Sequence, residues 1–223
     1  MKLRIILAAL FLAVYLLCID GSLRMAVAGE NLRVSEGQTP AAESDEFPFV
    51  KGTKELQLLA GPIISFTGNP YRRPAINYFS EDVRLGWMLS TPSDKSSNWL
   101  RGNTEFLLEV FGGEVYQGPG NGLLGGTLLL RYNFVQPAAK LNPYLQIGVG
   151  ALDNDIYKNH AQGLIGEGFE FNLQAGAGFQ YFLTSRVALS IEAGYRHISN
   201  AGLAVHNLGL NSFGGLAGVS LFF

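Results

Sequence analysis

The chain has 223 residues, a net charge of −2, 15% charged residues, 48% hydrophobic residues and 28 glycines. The near-neutral balance offers no basic footprint for nucleic acid, and one cysteine cannot form an intrachain disulfide. So apolar a chain suits water poorly, yet beyond its first residues it has no apolar run long enough for a membrane-spanning helix.

Lys2 and Arg4 precede an apolar run over residues 5–18, and Ala26-Val27-Ala28 supplies small residues for cleavage. This layout predicts a secretory signal peptide over residues 1–28, removed after Ala28. The run falls short of the roughly 20 residues that a spanning helix needs. The single cysteine, Cys18, would leave with it. Residues 29–50 are polar and aperiodic, as expected of a flexible periplasmic lead-in.

From residue 51 to 223 the dominant period is two, and it recurs in eight places. The first strand, around 55–65, has the weakest signal. The second sets Val83, Leu85, Trp87 and Leu89 against Asp82 and Arg84. The third sets Phe106, Leu108 and Val110 against Glu105 and Glu109. In the fourth, Leu124, Leu128, Leu130, Tyr132 and Phe134 oppose Thr127, Arg131 and Asn133. In the fifth, Leu145, Ile147, Val149 and Ala151 alternate with Gln146 and glycines. The sixth is clearest: odd positions from Phe169 to Tyr181 are apolar, and even positions are Glu, Asn, Gln or Gly. In the seventh, odd residues run from Val187 to Ser199. The eighth ends Phe213, Ala217, Val219, Leu221, Phe223 on one parity.

A chain of this kind is predicted to be all-β: an eight-stranded antiparallel transmembrane barrel in a bacterial outer membrane, its apolar faces outward. Eight strands leave an interior that side chains fill. Asp82, Glu105, Glu109, Glu170 and Glu192 face Arg84, Arg131 and Arg196 in a predicted interior ion network. A soluble lipocalin-like barrel would turn the apolar set inward. The Gln, Glu and Arg on the other face argue against that, as does the terminal Phe223, which resembles the assembly signal of outer-membrane barrels. With both ends periplasmic, the outer connections are predicted at 68–75, 116–122, 153–168 and 200–210. The inner turn at 183–186 is suitably short. The inner connection at 90–103 is longer than such a turn requires.

Chemistry concentrates in the last hairpin. His197 and Ser199 share the lipid-facing parity of strand seven, and Asn211 shares that of strand eight. Ten residues separate Val187 from His197, about 25 Å of vertical travel at roughly 2.5 Å per tilted residue, so these polar groups fall at the outer interface. The expected register puts Ser199 opposite Asn211, with His197 on the diagonal. A serine beside a histidine that a third group holds is an activated nucleophile. His197 would take the Ser199 proton, while Asn200 and nearby backbone amides would hold the oxyanion. No histidine pair has metal-binding spacing, so neither metal nor organic cofactor is expected. His160 and His206 read as solvated loop residues.

His197-x-Ser199-Asn200-Ala201 followed by Asn207-x-Gly209, on the last two strands of such a barrel, resembles the PagL-type lipid A deacylase (acyloxyacyl hydrolase-like) family. The resemblance is concentrated in about 20 residues. It implies a serine esterase with His197 as base, Ser199 as nucleophile and Asn200 and Asn207 at the oxyanion site. The implied substrate is lipid A (lipopolysaccharide) of the outer leaflet, and a homodimer is admitted. The family pattern has a glutamate where this chain has Asn211. An amide oxygen accepts the histidine N–H but brings no full charge. Slower catalysis is therefore expected, or an acid borrowed from Asp153, Asp155 or Glu167. The competing readings are a non-catalytic barrel with a structural or adhesive role, and a phospholipid hydrolase.

Overall fold

The period-two patterning is realised as eight strands: β1 (Lys54–Ser65), β2 (Asn77–Met88), β3 (Gly102–Gln117), β4 (Gly122–Phe134), β5 (Leu141–Asn154), β6 (Phe169–Phe182), β7 (Val187–Ser199) and β8 (Leu210–Phe222). They come from a computed structural model that describes residues 48–66, 74–92, 99–203 and 207–223. Each strand pairs antiparallel with its neighbours, and β8 closes on β1 to complete the barrel. All eight exceed the roughly 9–11 residues that a tilted strand needs to cross a bilayer. The signal-peptide residues 1–28 and residues 29–47 of the lead-in lie outside the described residues, as does His206.

Parity sorts the side chains as the sequence predicts. Leu128, Leu130, Leu145, Ile147, Val149, Leu173, Ile191, Phe213 and Val219 are exposed on the outer wall. Arg84, Arg131, Glu105 and Glu109 are fully buried within. Arg84 pairs with Glu109 and Glu192 at 2.7 Å each and lies 3.6 Å from Asp82. Arg196 lies 3.5 Å from Asp82 and 3.8 Å from Glu109. Arg131 completes the network with Glu55 at 3.1 Å and Glu105 at 3.4 Å. Closing a ring of buried opposite charges offsets the several kcal/mol that each ion loses on leaving water.

The network differs from expectation at two positions. Glu55, on the strand with the weakest pattern, belongs to it. Glu170 does not: its carboxylate accepts the N–H groups of Gly166 and Glu167 and so fastens the β5–β6 loop. Position near the strand end decides this, because loop amides lie closer to Glu170 than the central arginines do.

Apolar clusters seal the polar interior at both ends. At the end where β1 begins and β8 finishes, Phe49, Met88, Val135, Phe182, Ala188 and Phe222 pack together. Phe49, from the last residues of the lead-in, contacts Phe182 and Phe222 edge-on at 5.5 and 6.0 Å. The long β2–β3 connection takes part here: Asn103 donates to the carbonyls of Phe49 and Ser90. At the opposite end, Leu59, Ile63, Tyr78, Phe111, Leu152, Ile198 and Leu210 form a larger cluster capped by Leu164 and Ile165 of the β5–β6 loop.

Candidate active site

At the end where β7 finishes and β8 begins, the two strands bring the predicted polar groups together on the outer wall. The register pairs His197 directly with Asn211, which corrects the expected pairing of Ser199 with Asn211 by two residues. Ala201 (φ 54°) and Gly202 (φ 83°) adopt left-handed backbone, and Asn200 Oδ1 accepts the Gly202 N–H at 3.0 Å, an Asx-turn that closes the strand tightly. The correction shortens the path between the groups. His197 Nδ1 lies 2.8 Å from Asn211 Oδ1, and Nε2 lies 3.0 Å from Ser199 Oγ.

The protonation of the imidazole follows from the donor inventory. An amide oxygen only accepts, so Nδ1 carries the proton and donates it to Asn211. Nε2 is then the free base, facing the serine hydroxyl that donates to it. The three side chains are partly buried, each beside a lipid-facing neighbour: Ser199 pairs with Phe171 and His197 with Leu173 across the β6–β7 ladder. The hydroxyl of Tyr195, one outward position below His197, also donates to Asn211 Oδ1. Tyr195 stacks on Phe66 at 6.5 Å.

Gly209 gives the imidazole its room. At φ 78° it adopts backbone that disfavours a side chain, and a Cβ there would lie 2.8 Å from His197 Cε1. Its N–H donates to Leu164 O at 2.9 Å, so the β5–β6 loop fixes the segment that borders the ring.

Asn200 and Asn207 stand apart from the outward triad in one respect. The Asn200 side chain is fully buried, bound to the turn rather than aimed at the membrane side. The half-buried Asn207 amide donates to the Leu164 carbonyl at 2.9 Å, and its oxygen accepts the Asn200 backbone N–H at 2.6 Å. The loop acids expected to lend a charge do not reach His197 Nδ1. Asp155 binds the Asn121 N–H and side-chain amide at 2.7 Å each, and the Gly122 N–H at 3.1 Å. Burial raises the Asp155 carboxyl, but these donors outweigh it and hold it below the usual carboxylate range. Asn211, rather than Asp153, Asp155 or Glu167, is the partner of His197 Nδ1. His160 is exposed in the same loop.

Sequence reasoning missed two contributors. Tyr195 was legible only as another outward aromatic, although its place two residues before His197 puts both on one face. Gly209 was part of the recognised pattern, but its steric reason required the observed register.

Comparison with known proteins identifies the family and the fold. The family model described as Lipid A 3-O-deacylase (PagL) matches residues 81–220, more than half of the chain. The crystal structure of the outer-membrane enzyme PagL is similar at 17% identity and a TM-score of 0.52, covering 75% of this chain and 98% of that one. Neisserial surface protein A is similar at 16% identity and a TM-score of 0.55, covering 78% of this chain and all of its own. At such identities the likeness shows a shared barrel fold. No curated protein sequence matches. The chain belongs to the lipid A 3-O-deacylase (PagL) family and is a bacterial outer-membrane β-barrel.

Proposed function

We propose that this protein is a serine esterase that removes an ester-linked acyl chain from lipid A in the outer leaflet. One observation carries the reading: Ser199, His197 and Asn211 form a continuous hydrogen-bonded chain on the outer wall. An aqueous substrate would have little reason to meet a nucleophile there, whereas a lipid ester arrives with its tails already against Phe171 and Leu173. Family membership supports the substrate class, and the family's description supports the 3-O position.

In the proposed reaction His197 Nε2 takes the Ser199 proton as Oγ bonds to the ester carbonyl carbon. The carbonyl electrons move onto oxygen, giving a tetrahedral oxyanion. Donors for that oxyanion come from the second N–H of Asn207 and the backbone amide of Ala201, with Asn200 holding Asn207 and the turn in position. Collapse breaks the bond to the sugar oxygen, which leaves as the alcohol after receiving the proton from His197. Water, activated by the same imidazole, then attacks the acyl-serine. This releases the fatty acid and restores Ser199. Asn211 fixes the tautomer throughout, without contributing a full charge to the imidazolium.

Mass spectrometry of lipid A from cells expressing the chain tests the reading. Loss of one acyl chain with the wild type, and intact lipid A with Ser199→Ala and His197→Ala, is expected. Unchanged lipid A in all three, with the barrel inserted, would instead favour a non-catalytic barrel.

A further inference from the structure

An asparagine next to a catalytic imidazole carries a hazard that a carboxylate lacks. Its side chain is nearly symmetric in shape but opposite in polarity at its two ends. With Oδ1 toward His197, Nδ1 is protonated and Nε2 is a free base for Ser199. With Nδ2 toward His197, Nδ1 must become the acceptor. The proton then sits on Nε2, and the base is blocked on the side where it is needed. The hydrogen bond between His197 and Asn211 exists in either case, so that contact alone does not choose between them.

We infer that Tyr195 is a positioning residue that makes this choice: its hydroxyl, donating to Asn211 Oδ1, holds the amide in the orientation that leaves His197 Nε2 free. Tyr195 and His197 flank Asn211 from successive outward positions of β7, because His197 pairs with Asn211 and Tyr195 with Phe213. Both therefore converge on one oxygen. Among the described residues, Asn211 is the only hydrogen-bond partner of the Tyr195 hydroxyl. The phenol stacks on Phe66 and stands beside Phe213, so the surroundings are apolar. If the amide turned over, the phenol could accept from Nδ2, but its own hydrogen would lose the one protein acceptor it has, with only the Phe66 and Phe213 rings beside it. The loss of that donor bond is the bias toward the productive orientation.

The consequence for rate rests on the esterase reading above; the consequence for the ring does not. Nitrogen NMR of the 15N-histidine-labelled barrel in micelles reads the ring directly. The chain has only three histidines, and a His197→Ala sample assigns the signal. Wild type is expected to show Nδ1–H at His197, and Tyr195→Phe a mixture with Nε2–H. For deacylation, Tyr195→Phe is expected to lower kcat roughly five- to tenfold, the equivalent of one net hydrogen bond. Most of that penalty should vanish when Asn211 is replaced by the isosteric, symmetric Asp (Asn211→Asp against Asn211→Asp with Tyr195→Phe). Heat-modifiable gel mobility verifies that each variant is folded. An unchanged His197 tautomer in Tyr195→Phe overturns the inference, as does an equal kinetic penalty in both backgrounds. An inactive wild type with the tautomer shift present would leave the positioning role standing and sink the esterase reading instead.

Discussion

Replacing Gly209 with alanine probes the site through space alone, without touching any polar group. The new Cβ would lie 2.8 Å from His197 Cε1, 3.4 Å from the Ile198 carbonyl oxygen and 3.5 Å from His197 Nε2. Carbon pairs rest at about 3.5–4.0 Å, so the ring must retreat by roughly 0.7 Å or more. That displacement acts on a proton-transfer pair held at 3.0 Å. Misplacement of about 1 Å costs up to ~100-fold in rate, so kcat is expected to fall roughly 10- to 100-fold. Part of the effect is backbone strain, about 1–2 kcal/mol for a side chain in left-handed conformation. Gly52→Ala isolates it, because Gly52 is also left-handed (φ 96°) but a Cβ there meets nothing within 4 Å. Deacylation by the refolded barrel in mixed micelles, followed by mass spectrometry, measures both. A Gly209→Ala enzyme as fast as wild type would refute the steric argument. So would a Gly52→Ala enzyme that is equally slow.

Asn211→Glu is expected to raise kcat about tenfold or more, since a carboxylate stabilises the imidazolium that an amide only orients; a dead enzyme would remove Asn211 from the relay. Asn207→Ala is expected to lower kcat about 100- to 1,000-fold with little change in KM, the loss of one oxyanion donor. Arg84→Met strands Glu109 and Glu192 without their closest cation. It is expected to cost about 3–5 kcal/mol in urea unfolding from lipid vesicles. Asp155 has its carboxyl held below the ordinary range, so its anchoring of Asn121 and Gly122 is complete above the unfolded value of about 3.9 and is lost only as pH falls through the lower, folded one. Hydrogen exchange at those two amides is expected to show protection at neutral pH that Asp155→Asn abolishes; protection unchanged in the variant would contradict the anchor.

The barrel was legible because membrane and lumen impose opposite demands on alternate residues. In β6 the odd positions from Phe169 to Tyr181 and the even positions from Glu170 to Gln180 separate almost completely, and one strand of that kind fixes a facing rule for the rest. The same parity identified His197, Ser199 and Asn211 as polar groups out of place. Parity is silent about register, and the observed pairing of His197 with Asn211 lies two residues from the expected one. It is also silent about depth. Glu170 looks like Glu105 in pattern, yet it sits near a strand end where loop amides reach it first. Ile198, Leu210 and Phe222 occupy inward positions where a polar lumen was expected, because the barrel's two ends are sealed by apolar clusters. Tyr195 illustrates a third limit: an aromatic at a lipid-facing position carries no sign that its hydroxyl has a task.

The central claim is that Ser199 is made nucleophilic by His197 on the membrane side of the barrel. A lipid-tailed fluorophosphonate, which bonds covalently only to activated serines, tests it on the wild-type protein in micelles. Peptide mass mapping is expected to find one adduct, at Ser199, absent from His197→Ala. Contradiction would take the form of an unlabelled wild-type barrel, or of Ser199 labelling that persists without the histidine.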